Sequence, residues 1–350
     1  MAETAVKISA DAPTALPGAR RERPHRRRHP LIRFVVRRLA AAVLTLLVAS
    51  VVIFVGTSLV PGSPAASVLG RSGDPAQIAR VDHELGYDKP VLERYFTWLG
   101  NALQGDFGDS TVAKVQGTAS PTWDIIRDPL RNTIVLALIA IVVLVPLSLL
   151  LGVIAGVTAA RWPDHLISTV TQVLMALPEF VVGSLLIVIF AVSLNLLPSV
   201  SLLAPGDSPL AHPDILVLPV LTLLAVSVAW TVRLIRIGTI EVLKTDYVQM
   251  ARLQGIGERK VLRRYVVRNS LAPSVQIFAL TLQYLFGGVI LTEAVFNYPG
   301  IGKQLVGAVQ SHDDTQVQAI ALILATIYIL INVLADVLIV LLVPKLRTQA

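Results

Sequence analysis

The sequence predicts an all-α polytopic membrane protein: six transmembrane helices, with an extracytoplasmic helical insertion between the first and the second. Three observations carry this reading. First, 54% of the 350 residues are hydrophobic and 15% charged, with a mean hydropathy of +0.69, whereas a soluble domain is roughly a quarter charged. Second, apolar runs of about 20 residues recur, each enough to cross a ~30 Å hydrocarbon core. Third, Lys and Arg gather on alternate sides of these runs: ten precede the first and nine lie from Arg233 to Arg268, against one in the two shorter loops opposite. That asymmetry marks the basic side as cytoplasmic. The net charge of +7 therefore speaks of topology and anionic lipid, not of nucleic acid. Without cysteine, disulfides, thiolate metal sites and a cysteine nucleophile are excluded.

Residues 1–30, with Arg20, Arg21, Arg23, Arg26, Arg27 and Arg28 crowded together and no apolar periodicity, read as a disordered basic cytoplasmic tail. The run Leu39 to Val60 is too long for the h-region of a signal peptide and is the first span, residues 31–60 in all. Pro61-Gly62-Ser63-Pro64 stops it. Residues 61–132 form an extracytoplasmic segment in which Asp74 to Leu85 and Pro90 to Leu103 carry apolar residues at helical spacing. These two amphipathic helices pack on each other or on the membrane surface. Residues 133–347 form a five-helix core. Its spans run Thr133 to Val157, Leu166 to Phe190, Asp214 to Val232, Pro273 to Thr292 and Val317 to Val343, with a cytoplasmic loop at 239–272 and both termini inside.

Pro178 and Glu179 fall inside the third span, Glu179 roughly 13 residues along, or about 20 Å. Two readings stand for this carboxylate: a group on the substrate pathway, or a hydrogen bond to a neighbouring helix. The same two readings, polar track or helix pairing, stand for Asn332 and Asp336, four apart on the last span. Gly300-Ile301-Gly302-Lys303 fails as a phosphate loop, since Asn297 stands where glycine is needed and Gln304 where Ser or Thr is needed. No catalytic constellation appears, so the chain is a channel, an ion-coupled carrier using Glu179 and Asp336, or the membrane part of a complex driven by another chain. In the loop, Asp246 is placed to cap a short helix from Tyr247, with Gln249 in capping-box position and Gly255 suited to a left-handed exit. Tyr247, Met250, Ala251 and Gln254 share one side of it. A second helix from Glu258 carries Arg259, Lys260, Arg263, Arg264 and Arg268 for headgroup contact.

The stretch Asp246-Tyr247-Val248-Gln249-Met250-Ala251-Arg252-Leu253-Gln254-Gly255, followed by Val261 to Pro273, resembles the cytoplasmic EAA loop of ABC importer permeases of the dipeptide, oligopeptide and nickel group. Leu59 to Gly62, Leu85 to Pro90, Gly105 to Gly108 and Glu293 to Gly302 agree with it in order, so the resemblance covers residues 31–347. Gln249-Met250-Ala251 stands where the wider superfamily has Glu-Ala-Ala, and Glu179 stands where a small or neutral residue is usual. The resemblance implies the type I ABC importer permease fold and the translocation of di- or oligopeptides across the inner membrane of a bacterium. It implies ATPase coupling through Asp246, Tyr247, Gln249, Met250, Ala251, Arg252, Leu253 and Gly255. The implied partners are a second homologous permease subunit, two cytoplasmic ATPase subunits and an extracytoplasmic substrate-binding protein. ATP and Mg would be bound by the ATPase partners, no cofactor or metal by this chain.

Overall fold

The computed structural model describes residues 30–59, 65–66, 74–84, 86–204 and 206–342, with side chains for all of these except 30–32, 81, 268–276, 279 and 338–342. The arginine-rich tail, Pro61 to Pro64, Leu85, the side chains of Arg268 to Pro273 and the basic end Lys345 to Arg347 lie outside the described residues.

The helices are α1 (Pro30–Ser58), α2 (Pro75–Glu84), α3 (Val91–Leu103), α4 (Thr111–Val115), α5 (Thr122–Val157), α6 (Trp162–Ala176) and α7 (Glu179–Leu186). There follow α8 (Asp214–Leu243), α9 (Asp246–Leu253), α10 (Glu258–Val261), α11 (Arg268–Val295), α12 (Ile301–Gln310) and α13 (Asp314–Leu342). Helix α7 continues as a π-helical turn at Ile187–Ser193, and another, Leu262–Val267, joins α10 to α11. Helices α1, α5, α8 and α13 are long and apolar enough to cross a membrane, and α6 with α7 makes a fifth, broken span. The apolar part of α11 within the described residues is Leu280–Val295.

The third span departs from the expected continuous helix. It bends by 105° between α6 and α7. Pro178 is the cause: Leu177 before it is extended (φ −94°, ψ 133°), as the clash with a proline ring requires. Glu179 is thus the first residue of a new helix, where a carboxylate complements the positive end of the dipole.

Helix α8 is the axis of the bundle. Leu216, Leu223, Val228 and Val232 pack against Leu136, Ala140 and Leu144 of α5 and against Leu285 and Val289 of α11. Towards their far ends α5 and α8 touch backbone to side chain at two glycines. A Cβ on Gly152 would lie 2.7 Å from Ile235, and one on Gly156 would lie 2.5 Å from the Cβ of Thr239. Small residues four apart allow this approach, from which helices in lipid gain dispersion contact. Helix α8 also runs past the expected end at Val232 as far as Leu243, carrying the span without interruption to the loop that holds α9.

The insertion packs on helix ends rather than on the membrane surface alone. Tyr95 of α3 donates to or accepts from Ser50 Oγ at 2.9 Å and meets Phe54 of α1 edge-on, with ring centroids 5.4 Å apart. Asp313, just before α13, accepts from the Thr111 backbone N–H at 3.1 Å and from the Ser110 hydroxyl. Tyr87 donates to Asp314 at 3.2 Å, and burial followed by the neighbouring Asp314 charge pushes its phenol above the usual range. Neither α4 nor α12 was expected: α4 has five residues, too few to show a period, and α12, as long as α2, was passed over within the segment read as a loop.

Candidate functional site

Helix α9 hangs at the end of α8 and is held from one side. Val248 and Ala251 are buried with Val261 and Val266, and Val242, Leu243 and Ile256 close the cluster. Its other face is bare: Tyr247 is 42% exposed, Met250 59% and Leu253 82%. Ala251, grouped with Tyr247 and Met250 from sequence, therefore belongs to the inward face and Leu253 to the outward one. The cap differs as well. Thr245, not Asp246, is the N-cap residue and makes no side-chain cap bond, because its hydroxyl donates back to Val242 O at 2.6 Å. The Gln249 amide donates to Lys244 O at 3.2 Å, so no capping box forms. Gly255 does leave the helix left-handed, with φ +75°.

Arg252 reaches across this exit to Glu258, Nη2 to Oε1 at 2.6 Å and Nε to Oε2 at 3.1 Å, a forked pair that raises the guanidinium pKa further. It braces α9 against α10. The expected separate basic helix is instead one continuous run from α10 through the π-helical turn into α11.

Glu179 is buried between α7 and α11. Its Oε1 accepts from Thr292 at 2.9 Å, and its carboxylate covers Gly288, where a Cβ would lie 2.5 Å from Oε2. Of the two readings for this residue, the helix-to-helix bond is present in the structure. Asp336 pairs with Arg38 of α1 at 3.1 Å, while Asn332 donates to Tyr328 O within its own helix and makes no bond to another helix among the described residues. The two carboxylates an ion-coupled carrier would use are thus each engaged in a fixed contact.

Sequence reasoning gave Glu293 no role, yet it has no exposed surface and ties three elements together. Its carboxylate accepts from Thr133 of α5 at 2.5 Å and from the Gly302 and Lys303 backbone N–H groups at 2.7 and 3.4 Å. These amides open α12, so the groups a phosphate loop would offer are taken by the chain's own carboxylate. Tyr298 donates to Asn132 O at 2.9 Å, and the Asn132 amide donates to Pro299 O at 3.0 Å. A carboxylate at the end of an apolar span, three residues before Phe296-Asn297-Tyr298-Pro299-Gly300, was the available signal. Asp164 was also passed over. Almost wholly buried, it takes Arg236 of α8 in a forked pair at 2.5 and 2.8 Å, along with the Ala160 N–H and the Ser168 hydroxyl.

Among the described residues no group of three or more His, Asp or Glu could hold a metal ion. Residues 148–348 match the family described as "Binding-protein-dependent transport system inner membrane component", and residues 31–137 match the N-terminal part of such membrane components. The chain belongs to this family of permeases. Related permeases include the glutathione transport system permease protein GsiC of Escherichia coli and that of Shigella dysenteriae, each 35% identical over 91% of this chain and 99% of the relative. GsiC of Shigella flexneri is 34% identical over the same shares. Membership fixes the role as the permease component of an ABC importer and the architecture as the type I permease fold.

Proposed function

We propose that this permease carries di- or oligopeptides, glutathione among them, handed over by an extracytoplasmic binding protein, and that α9 is the contact through which ATPase subunits drive it. The observation that carries the reading is the split character of α9. One face is locked into the cluster around Val248 and Val261, and the other offers Tyr247, Met250 and Leu253 to solvent. Three adjacent apolar side chains at the basic end of a membrane protein suit a protein groove, and apolar anchors supply most of the energy of such contacts. Asp246, Gln249 and Arg252 rim the patch. A push on α9 passes into α8 through Val242 and Leu243, and α8 is the axis of the bundle. In this reading the tail (1–30), first span (31–60), insertion (61–132) and core (133–347) keep the bounds expected from sequence. The permease pairs with a homologous subunit and two ATPases that bind ATP and Mg, in the inner membrane of a bacterium with both termini in the cytoplasm. The GsiC name on relatives covered over almost their full length supports the peptide class.

The test is Leu253→Asp. Insertion and folding persist, because the side chain lies almost wholly in solvent. Co-purification of the ATPases and peptide uptake both fall by at least about tenfold, the loss expected for one interface anchor. Normal uptake by a well-expressed variant would sink the assignment of α9.

Pro178 and Glu179 are kept as a proposal for the substrate pathway, because a helix break at membrane depth opens backbone that only protein or a cavity can satisfy. Glu179→Gln retains an oxygen for Thr292 and removes the charge. Assembly stays intact and the preference between cationic and neutral peptides shifts several-fold in competition assays. An unchanged preference would leave Glu179 with its helix-to-helix bond alone.

A further inference from the structure

A cavity of about 220 Å³ opens between α6 and α8, lined by Thr171, Gln172 and Met175 on one side and Val232, Arg233 and Arg236 on the other. Its charge balance is uneven. Arg236 gives Nε and Nη2 to Asp164 and is neutralised there. Arg233 is exposed and makes no ion pair among the described residues. Thr171 spends its hydroxyl on Ser168 O, so the donors left to a ligand are the Arg233 guanidinium and the Gln172 amide, with Arg236 Nη1 beside them. That is an oxyanion site: a planar fork with one amide beside it.

Its depth and surroundings narrow the source of the oxyanion. Arg233 lies about 19 residues beyond the start of α8, roughly 28 Å along the axis, which is the boundary of a ~30 Å hydrocarbon core. The face of α8 around it is apolar and bare, with Trp230 48% and Ile237 43% exposed, three residues before Arg233 and four after it on one side of the helix. An exposed tryptophan one turn from an unpaired arginine at that depth is the pattern of the headgroup region. We propose that the cavity holds the phosphate of an anionic phospholipid headgroup, bound by Arg233 and Gln172, with acyl chains lying over Trp230. The lipid then fastens α6 to α8 beside the Asp164–Arg236 pair, on the helix that leads to α9. The proposal rests on the cytoplasmic orientation of this end given above.

The whole transporter complex is reconstituted in vesicles of mixed phosphatidylglycerol and phosphatidylcholine, extracted, and its retained lipid read by native mass spectrometry. Phosphatidylglycerol is retained over phosphatidylcholine. Arg233→Gln lowers that retention about fivefold, the effect of one arginine at an anionic surface. Arg161→Gln, an exposed arginine at the same end of the bundle but outside the cavity, leaves it unchanged, and millimolar inorganic phosphate does not displace the lipid. Equal retention of the two lipids, equal effects of the two variants, or displacement by phosphate would each overturn the lipid site. Orientation has its own readout. Lys244→Cys in this cysteine-free chain resists an impermeant maleimide in intact cells; labelling there would overturn the topology and not the oxyanion chemistry.

Discussion

Gly300→Ala destabilises the permease by about 3 kcal/mol, at the upper end for an added methyl in a packed interior. The backbone at Gly300 is extended (φ −104°, ψ 178°) and accepts any residue, so the cost is steric alone. A Cβ there would overlap the Glu293 carboxylate. That carboxylate cannot yield cheaply: withdrawing it strips acceptors from the buried Thr133 hydroxyl and Gly302 amide and from the part-buried Lys303 amide. Thermal unfolding of the detergent-solubilised protein gives the measurement, and the variant should lose Tm and yield together. An unchanged Tm would mean that the knot joining α5, α11 and α12 is looser than its contacts imply.

Gly156→Val separates α5 from α8 at the end nearest α9. Its Cβ would sit 2.5 Å from the Cβ of Thr239 and 3.1 Å from Arg236 O, with β-branching added. Residues on rigid helices do not shift locally to admit this, so the two helices must part or slide. Insertion proceeds, since the span stays apolar, while peptide uptake falls about tenfold or more with overpacking of roughly 1–3 kcal/mol at the lever. Uptake by reconstituted vesicles, with ATPase rate measured alongside, distinguishes the outcomes: hydrolysis without transport is expected. Wild-type uptake would show that the close approach at Gly156 is incidental.

Part of this architecture was legible before any coordinates. The all-α build follows from apolar length, as do the four long apolar helices and the broken fifth span, because the bilayer acts on each segment separately. The left-handed exit at Gly255 was legible for a similar reason, since only local sterics choose glycine there. The cap of α9 was misread where two local bonds compete: Thr245 can cap forward or bond back to Val242, and the end of α8 decided for the latter. Pro178 was placed inside one uninterrupted third span, and the break there was not read. Proline restricts the residue before it in either case, and whether a helix kinks or stops depends on the helices that receive it.

What the sequence by itself determined is a polytopic α-helical membrane protein with a short polar helix at its basic end, because hydropathy, charge placement and turn chemistry are properties of neighbouring residues; its resemblance to known permeases added the role. What only the tertiary structure decided is which polar groups meet. Glu293 with Thr133, Asp164 with Arg236, Glu179 with Thr292 and the glycine contacts of α5 on α8 join residues 72 or more apart in the chain. Within lipid a buried polar group must find a partner, yet the partner is set by how the helices pack. No periodicity records that choice.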